Sequence, residues 1–395
     1  MGEDMRVQVQ AANAVRAITY PLGEEQALWP EGGNRLFVLN DTAQIIWEGH
    51  HAGLSAVAIA KRLARRFAVP PEQAEQDTRM ALAQWHQDGL LGGTGHAPQE
   101  QQKDDAPERL PPLPLPVAEH NYRLGGLILR VRVGDASLSQ ILLPLLQHLT
   151  VAPTTPADTV FDLAPDPCGF GYLLGQDGCV LACNLRQDDS ITHLLYHLLA
   201  YPCSGTLALA VLHAAAVADG DSCLIMAAPG GSGKTTLTAA LLAEGWDYLG
   251  DDMILLSRDE PPRTWPLPGP LCLKAGSWPV LKPYYLNLDT WPVLQRWDQP
   301  VRYLPPPQPS PDRAWPIRGL IFPAYQPGHS TTLESLTASA ALQLLIAANV
   351  RWRLPLTAHD IGVLIDWLNR LPAYRLIYDI LSEAVAAVRI VGTAS

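Results

Sequence analysis

Lys234, with Gly230, Gly231, Ser232 and Gly233 before it and Thr235 and Thr236 after it, has the make-up of a loop that holds phosphate. Glycines let successive backbone N–H groups turn inward around phosphate oxygens. A lysine at this spacing reaches the β- and γ-phosphates, and the next hydroxyl ligates Mg²⁺. The apolar run Ser222–Ala227 in front reads as a strand and the run Leu237–Ala243 behind as a helix, whose N-terminus adds partial positive charge. Ala228 stands where the pattern has its first glycine, a mild change because the inner glycines are kept. A glycine-rich turn without a nucleotide is the plainer alternative, and the strand–loop–helix context argues against it.

Sixteen residues separate Lys234 from the adjacent carboxylates Asp251 and Asp252. One helix (about 235–244) and one short strand (Trp246 to Leu249) fill that gap, which brings the carboxylates near the phosphates. Such a pair can divide two tasks, one holding Mg²⁺ and the other accepting the proton of an attacking hydroxyl. An exposed acidic turn is the alternative. His213 lies in the apolar stretch Leu207–Val217 just upstream of the loop strand, where core packing and a role at the phosphates are both open. His193 and His197 share a helix face but lack the acidic or cysteine partners a metal site needs. Lys274 and Arg318 flank proline-rich loops (Pro261–Pro270 and Pro305–Pro311), as surface residues or as phosphate partners.

The elements that carry these residues divide by composition. Residues 1–93 read as three short strands (Ala14–Leu22, Glu25–Glu31, Arg35–Leu39) and three helices. Asn40 caps the first helix. Leu54, Val57, Ala60 or Leu63, and Phe67 form the inner side of the second, and Ala74, Thr78, Ala81, Leu82 and Trp85 that of the third, which stops at Asp88-Gly89. Residues 94–117, polar and then proline-rich through Leu110–Pro116, read as a stiff spacer. Residues 118–204 read as a β-rich accessory lobe and 205–395 as the domain of the phosphate loop. The fold class is α/β (α+β) with a winged-helix-like N-terminal module.

A net charge of −11 argues against nucleic acid and anionic membranes as partners, and the first module alone has eight basic against eleven acidic residues. The basic cluster Lys61, Arg62, Arg65 and Arg66 reads as a solvated helix face. No window has the ~18 charge-free apolar residues of a membrane span, and the start Met1–Arg6 has no signal-peptide core. The six cysteines read as cytoplasmic free thiols.

Two resemblances sharpen this picture. Leu212–Val217, the glycine loop and Gly245–Asp252 resemble the HPr kinase/phosphorylase family, whose nucleotide fold is similar to that of phosphoenolpyruvate carboxykinase. The resemblance is strongest over about 205–260. It implies ATP and Mg²⁺, with Lys234 on the phosphates, Thr235 and Asp251 on the metal, Asp252 as base, and His213 near the transferred group. That family's protein substrate does not carry over, and its C-terminal signature is not recognisable near 270–300. Leu39–Ala43, Ile46-Trp47, the 55–67 helix and Trp85…Asp88-Gly89-Leu90-Leu91 resemble the PqqD-like peptide chaperones over about 14–92. That resemblance implies capture of the leader of a ribosomally made precursor peptide, added as a strand beside Arg35, Leu36, Phe37, Val38 and Leu39 and next to Trp85. Together they imply a cytoplasmic Ser/Thr peptide kinase in modified-peptide biosynthesis, with self-assembly left open. A nucleotide-gated peptide chaperone or scaffold, and a small-molecule kinase, are the alternatives.

Overall fold

The computed structural model describes residues 17–393 except 32, 34, 89, 92–107, 168, 206–207, 298 and 308–309. Residues 14–16 of the first expected strand, the cap Gly89, the polar part of the spacer, Cys168 and part of the 305–311 run therefore lie outside the described residues. The chain forms two compact units.

In the first unit, strands Ala17–Leu22, Glu25–Pro30 and Phe37–Leu39 make an antiparallel sheet in that order. Helices Asp41–His51, Ala56–Phe67 and Pro71–Gln87 follow. The Asn40 side chain accepts the Ala43 amide at 2.9 Å and opens the first helix. The second helix buries Ile59, Ala60 and Leu63, whereas Leu54 and Val57 face solvent. The inner side therefore differs from the one read from the sequence, because Ile59 rather than Val57 points at the core. Leu28, Leu39, Ile46, Trp47, Ile59, Leu63, Ala74 and Trp85 form that core. Helix Ala358–Arg370, from the far end of the chain, belongs to this unit as well. Tyr20 donates to the Ala358 carbonyl at 2.7 Å, and the Asn369 side chain bonds both Gly23 N and Pro21 O. A boundary that gives all of 205–395 to one domain is thus corrected.

The second unit begins before the expected accessory lobe. Leu110 N donates to Gly178 O at 2.9 Å, Val180 N to Glu108 O at 2.7 Å, and Val117 N to Val133 O at 2.8 Å. The Leu110 side chain lies directly over Gly175, where only a glycine leaves it room. Residues 108–117 are therefore part of the lobe, not a free spacer. The lobe is a six-stranded sheet, Thr150–Val151, Ala118–Leu124, Leu127–Val133, Thr159–Pro165, Tyr172–Gln176 and Cys179–Leu185 in spatial order. Helices Ala136–Leu146 and Gln187–Ala200 pack Leu138, Leu142, Ile191 and Leu194 on Leu129, Phe161 and Leu163.

The sheet that carries the glycine loop has ten strands among the described residues. Strand Ser222–Ala227 is parallel to Trp315–Tyr325, which is parallel to Ala373–Tyr378. On its other side Ser222–Ala227 pairs with Ala214–Asp219, and that strand pairs with Asp247–Gly250. Helix Lys234–Ala243 covers these strands, with Leu237 and Leu241 against Val217, Leu224, Met226 and Ile321. A small sheet of Leu271–Lys274, Gln299–Leu304 and Leu294–Arg296 completes the unit.

Candidate functional site

Strand Ser222–Ala227 is buried from Cys223 onward, as its apolar sequence requires, and the chain beyond it brings residues 229–233 into solvent reach. Helix Lys234–Ala243 starts directly after them. Gly231 and Gly233 have φ of +85° and +90°, a region that favours glycine. A side chain at Gly233 would also meet the Tyr378 hydroxyl, which bonds the Gly233 carbonyl at 3.3 Å. Ala228 is buried.

The Lys234 ammonium is folded back onto the loop, donating to Ala228 O at 2.6 Å and to Pro229 O at 3.3 Å. Burial lowers its pKa, while Asp251 and Asp252 pull it up. Its third neighbour is His213 Nε2 at 3.4 Å. His213 Nδ1 lies 3.2 Å from the Asp252 carbonyl, which can only accept, so Nδ1 carries the proton and Nε2 accepts from Lys234. Burial and then Lys234 lower the His213 pKa, consistent with a neutral ring. The site thus engages both ring nitrogens of His213.

Asp251 and Asp252 follow strand Asp247–Gly250. Asp251 is only 6% exposed, and its carboxylate oxygens make no hydrogen bond of good geometry, although the Thr235 hydroxyl and the Asp252 amide lie near them. Burial, and then the neighbouring Asp252 charge, push its pKa up; the nearby Thr235 hydroxyl and Lys234 pull the other way. Buried carboxylate oxygens suit a hard cation, and Thr235 supplies a further oxygen beside them. Asp252 adopts φ of +70° and faces the cavity, its Oδ2 3.5 Å from Arg296 Nη1.

These residues line one cavity of about 730 Å³ in the second unit, together with Gly230, Gly231, Ser232, Thr236 and Lys274. Arg318, the other candidate cation, is elsewhere: its guanidinium lies 5.6 Å over the Trp246 ring and bonds Asp219 O. Arg296, which the sequence did not single out, lines the cavity along with Lys274. Its Nη1 is 3.1 Å from Cys272 Sγ, its Nε is buried without a partner, and its Cζ lies 4.8 Å from the Trp297 ring. No spacing rule pointed to it, because a hairpin of the small sheet brings it across from forty-four residues beyond Asp252.

In the first unit, the expected peptide strand Phe37–Leu39 pairs on one side only, with Glu25–Pro30, among the described residues. Phe37 and Val38 are half-buried and Arg35 is exposed, bonding Asp88 at 3.1 Å. Leu36, Leu39 and Trp85 are buried. Trp85 packs edge-on against Trp47 at 5.7 Å, and Trp85 and Leu39 belong to the core beneath the strand.

Residues 25–91 match the family described as coenzyme PQQ synthesis protein D (PqqD). No curated protein matches the chain. Among the described residues, no helix is long and apolar enough to cross a membrane.

Proposed function

We propose that this chain is an ATP-dependent kinase for a Ser or Thr hydroxyl of a ribosomally made precursor peptide, captured through its leader by the PqqD-like module. The observation that carries the reading is the convergence of the glycine loop, Lys234, the buried Asp251 carboxylate and the accessible Asp252 on one cavity. Lys234 exchanges the Ala228 and Pro229 carbonyls for the β- and γ-phosphate oxygens of ATP. Thr235 and Asp251 would hold Mg²⁺, which would supply neutralisation of the phosphate charge. Asp252 accepts the proton of the peptide hydroxyl as its oxygen attacks the γ-phosphorus and the bond to the β-phosphate oxygen breaks, releasing ADP. Lys234 and Arg296 stabilise the charge that spreads over the transferred group. His213 keeps Lys234 and the Asp252 backbone in register.

The edge of Phe37–Leu39 that is unpaired among the described residues takes the leader by strand addition, with main-chain bonds giving affinity and Phe37 and Val38 giving selectivity. Tethering the leader raises the local concentration of the core peptide at the cavity. The test is incubation of the protein, Mg·ATP and a leader-bearing precursor peptide encoded beside its gene, read by mass spectrometry. A phosphate adduct on a hydroxyl residue supports the kinase. Nucleotide-dependent peptide binding with no adduct would favour a chaperone.

A further inference from the structure

The ten-stranded sheet places the acidic pair and a pair of tyrosines on opposite flanks of the glycine loop. On one flank, the neighbouring strands Ala214–Asp219 and Asp247–Gly250 lead to Asp251 and Asp252. On the other, the parallel strands Trp315–Tyr325 and Ala373–Tyr378 end side by side, with Tyr325 opposite Tyr378 in register. In open sheets of this kind a ligand lies in the crevice outside the carboxyl ends of the parallel strands. If the loop takes the central phosphates and the acidic pair faces the γ-phosphate, an extended nucleotide must carry its nucleoside to the tyrosine flank.

That flank is built to receive a flat, apolar group. Phe322 and Pro323 of the same strand are buried, but Tyr325 is 48% exposed and lines the cavity. The Tyr325 ring is backed by the buried Tyr378 ring at 5.8 Å. The Tyr325 amide donates to the Ser232 carbonyl at 3.1 Å, which fixes the platform relative to the loop. The Asp379 carboxylate, held by the Gly328 amide at 2.9 Å, and Leu381 close the same side of the cavity. We infer that Tyr325, supported by Tyr378, is the platform on which the base of the bound nucleotide stacks. The inference rests on the nucleotide reading of the glycine loop given above.

The test is calorimetric titration of the full-length chain, with Mg²⁺ present, using ATP and inorganic triphosphate as separate ligands. Tyr325→Ala is expected to weaken ATP about tenfold, near the lower end of what base–aromatic stacking contributes, and to leave triphosphate affinity unchanged. Tyr325→Phe keeps the ring and should bind ATP as the parent does. Lys234→Ala should weaken both ligands. Unchanged ATP affinity in Tyr325→Ala would overturn the platform while leaving the phosphate site standing. An equal loss of ATP and triphosphate would also overturn it, since the residue would then act through Ser232 and the loop. If the parent protein bound neither ligand, the nucleotide reading itself would fall, and the platform with it.

Discussion

The buried Asp251 carboxylate makes a prediction about stability, independent of any peptide. Burial raises its pKa from 3.8 to about 7. The folded state therefore holds this proton to a higher pH than the unfolded chain does. Stability from this group is complete below about pH 4 and is lost as pH rises towards about 7, with a slope of up to ~1.4 kcal/mol per unit. The whole effect is on the order of 4 kcal/mol at most. Asp251→Asn has nearly the same shape and no titration, so it should abolish this slope. Thermal melts of the parent and the variant, taken across about pH 4.5 to 8, should diverge as pH rises, with the variant melting higher. At about 2–4 °C per kcal/mol for a unit of this size, the gap should approach ~10 °C. Adding Mg²⁺ with ADP should close the gap by stabilising the parent, and do so more strongly at higher pH, because the cation competes with the proton. Parallel melting curves for parent and variant would refute the claim that burial raises the pKa of this carboxyl.

Asp252→Asn should abolish phosphate transfer to the peptide while ATP still binds, measured by mass spectrometry and titration; full turnover by this variant would remove Asp252 as the base. Gly233→Ala puts a methyl group against the Tyr378 hydroxyl at φ of +90°, and should weaken ATP at least tenfold given ~1–2 kcal/mol for the backbone alone, with partial recovery when Tyr378→Phe is added. Phe37→Ala should raise KM for the full precursor by up to about tenfold, from the ~1–1.5 kcal/mol of a partly buried ring, and leave a leaderless peptide unaffected. Arg318→Ala should leave kcat and KM unchanged, because its guanidinium packs on Trp246 away from the cavity.

Local order was legible wherever it is set by near neighbours. The strand–loop–helix at 222–243 follows from an apolar run, from glycines that tolerate positive φ, and from a helix-forming stretch. The first module's three strands and three helices followed from caps and periodicity, although one inner side was misread at Val57. The six-residue proline run at 111–116 read as a spacer because composition does not reveal that Leu110 finds a glycine, Gly175, to lie against.

The sequence alone determined the chemistry on offer at the loop: a lysine and hydroxyls behind glycines, and two carboxylates one helix and one strand away. Tertiary structure decided which groups meet. It put Arg296 rather than Arg318 beside Asp252, and set His213 against Lys234. It also drew helix Ala358–Arg370 back to the N-terminal strands. Motif spacing reflects only contacts along one short stretch of chain. Each of these choices depends on strands and helices distant in sequence burying their apolar faces together, which no local pattern encodes.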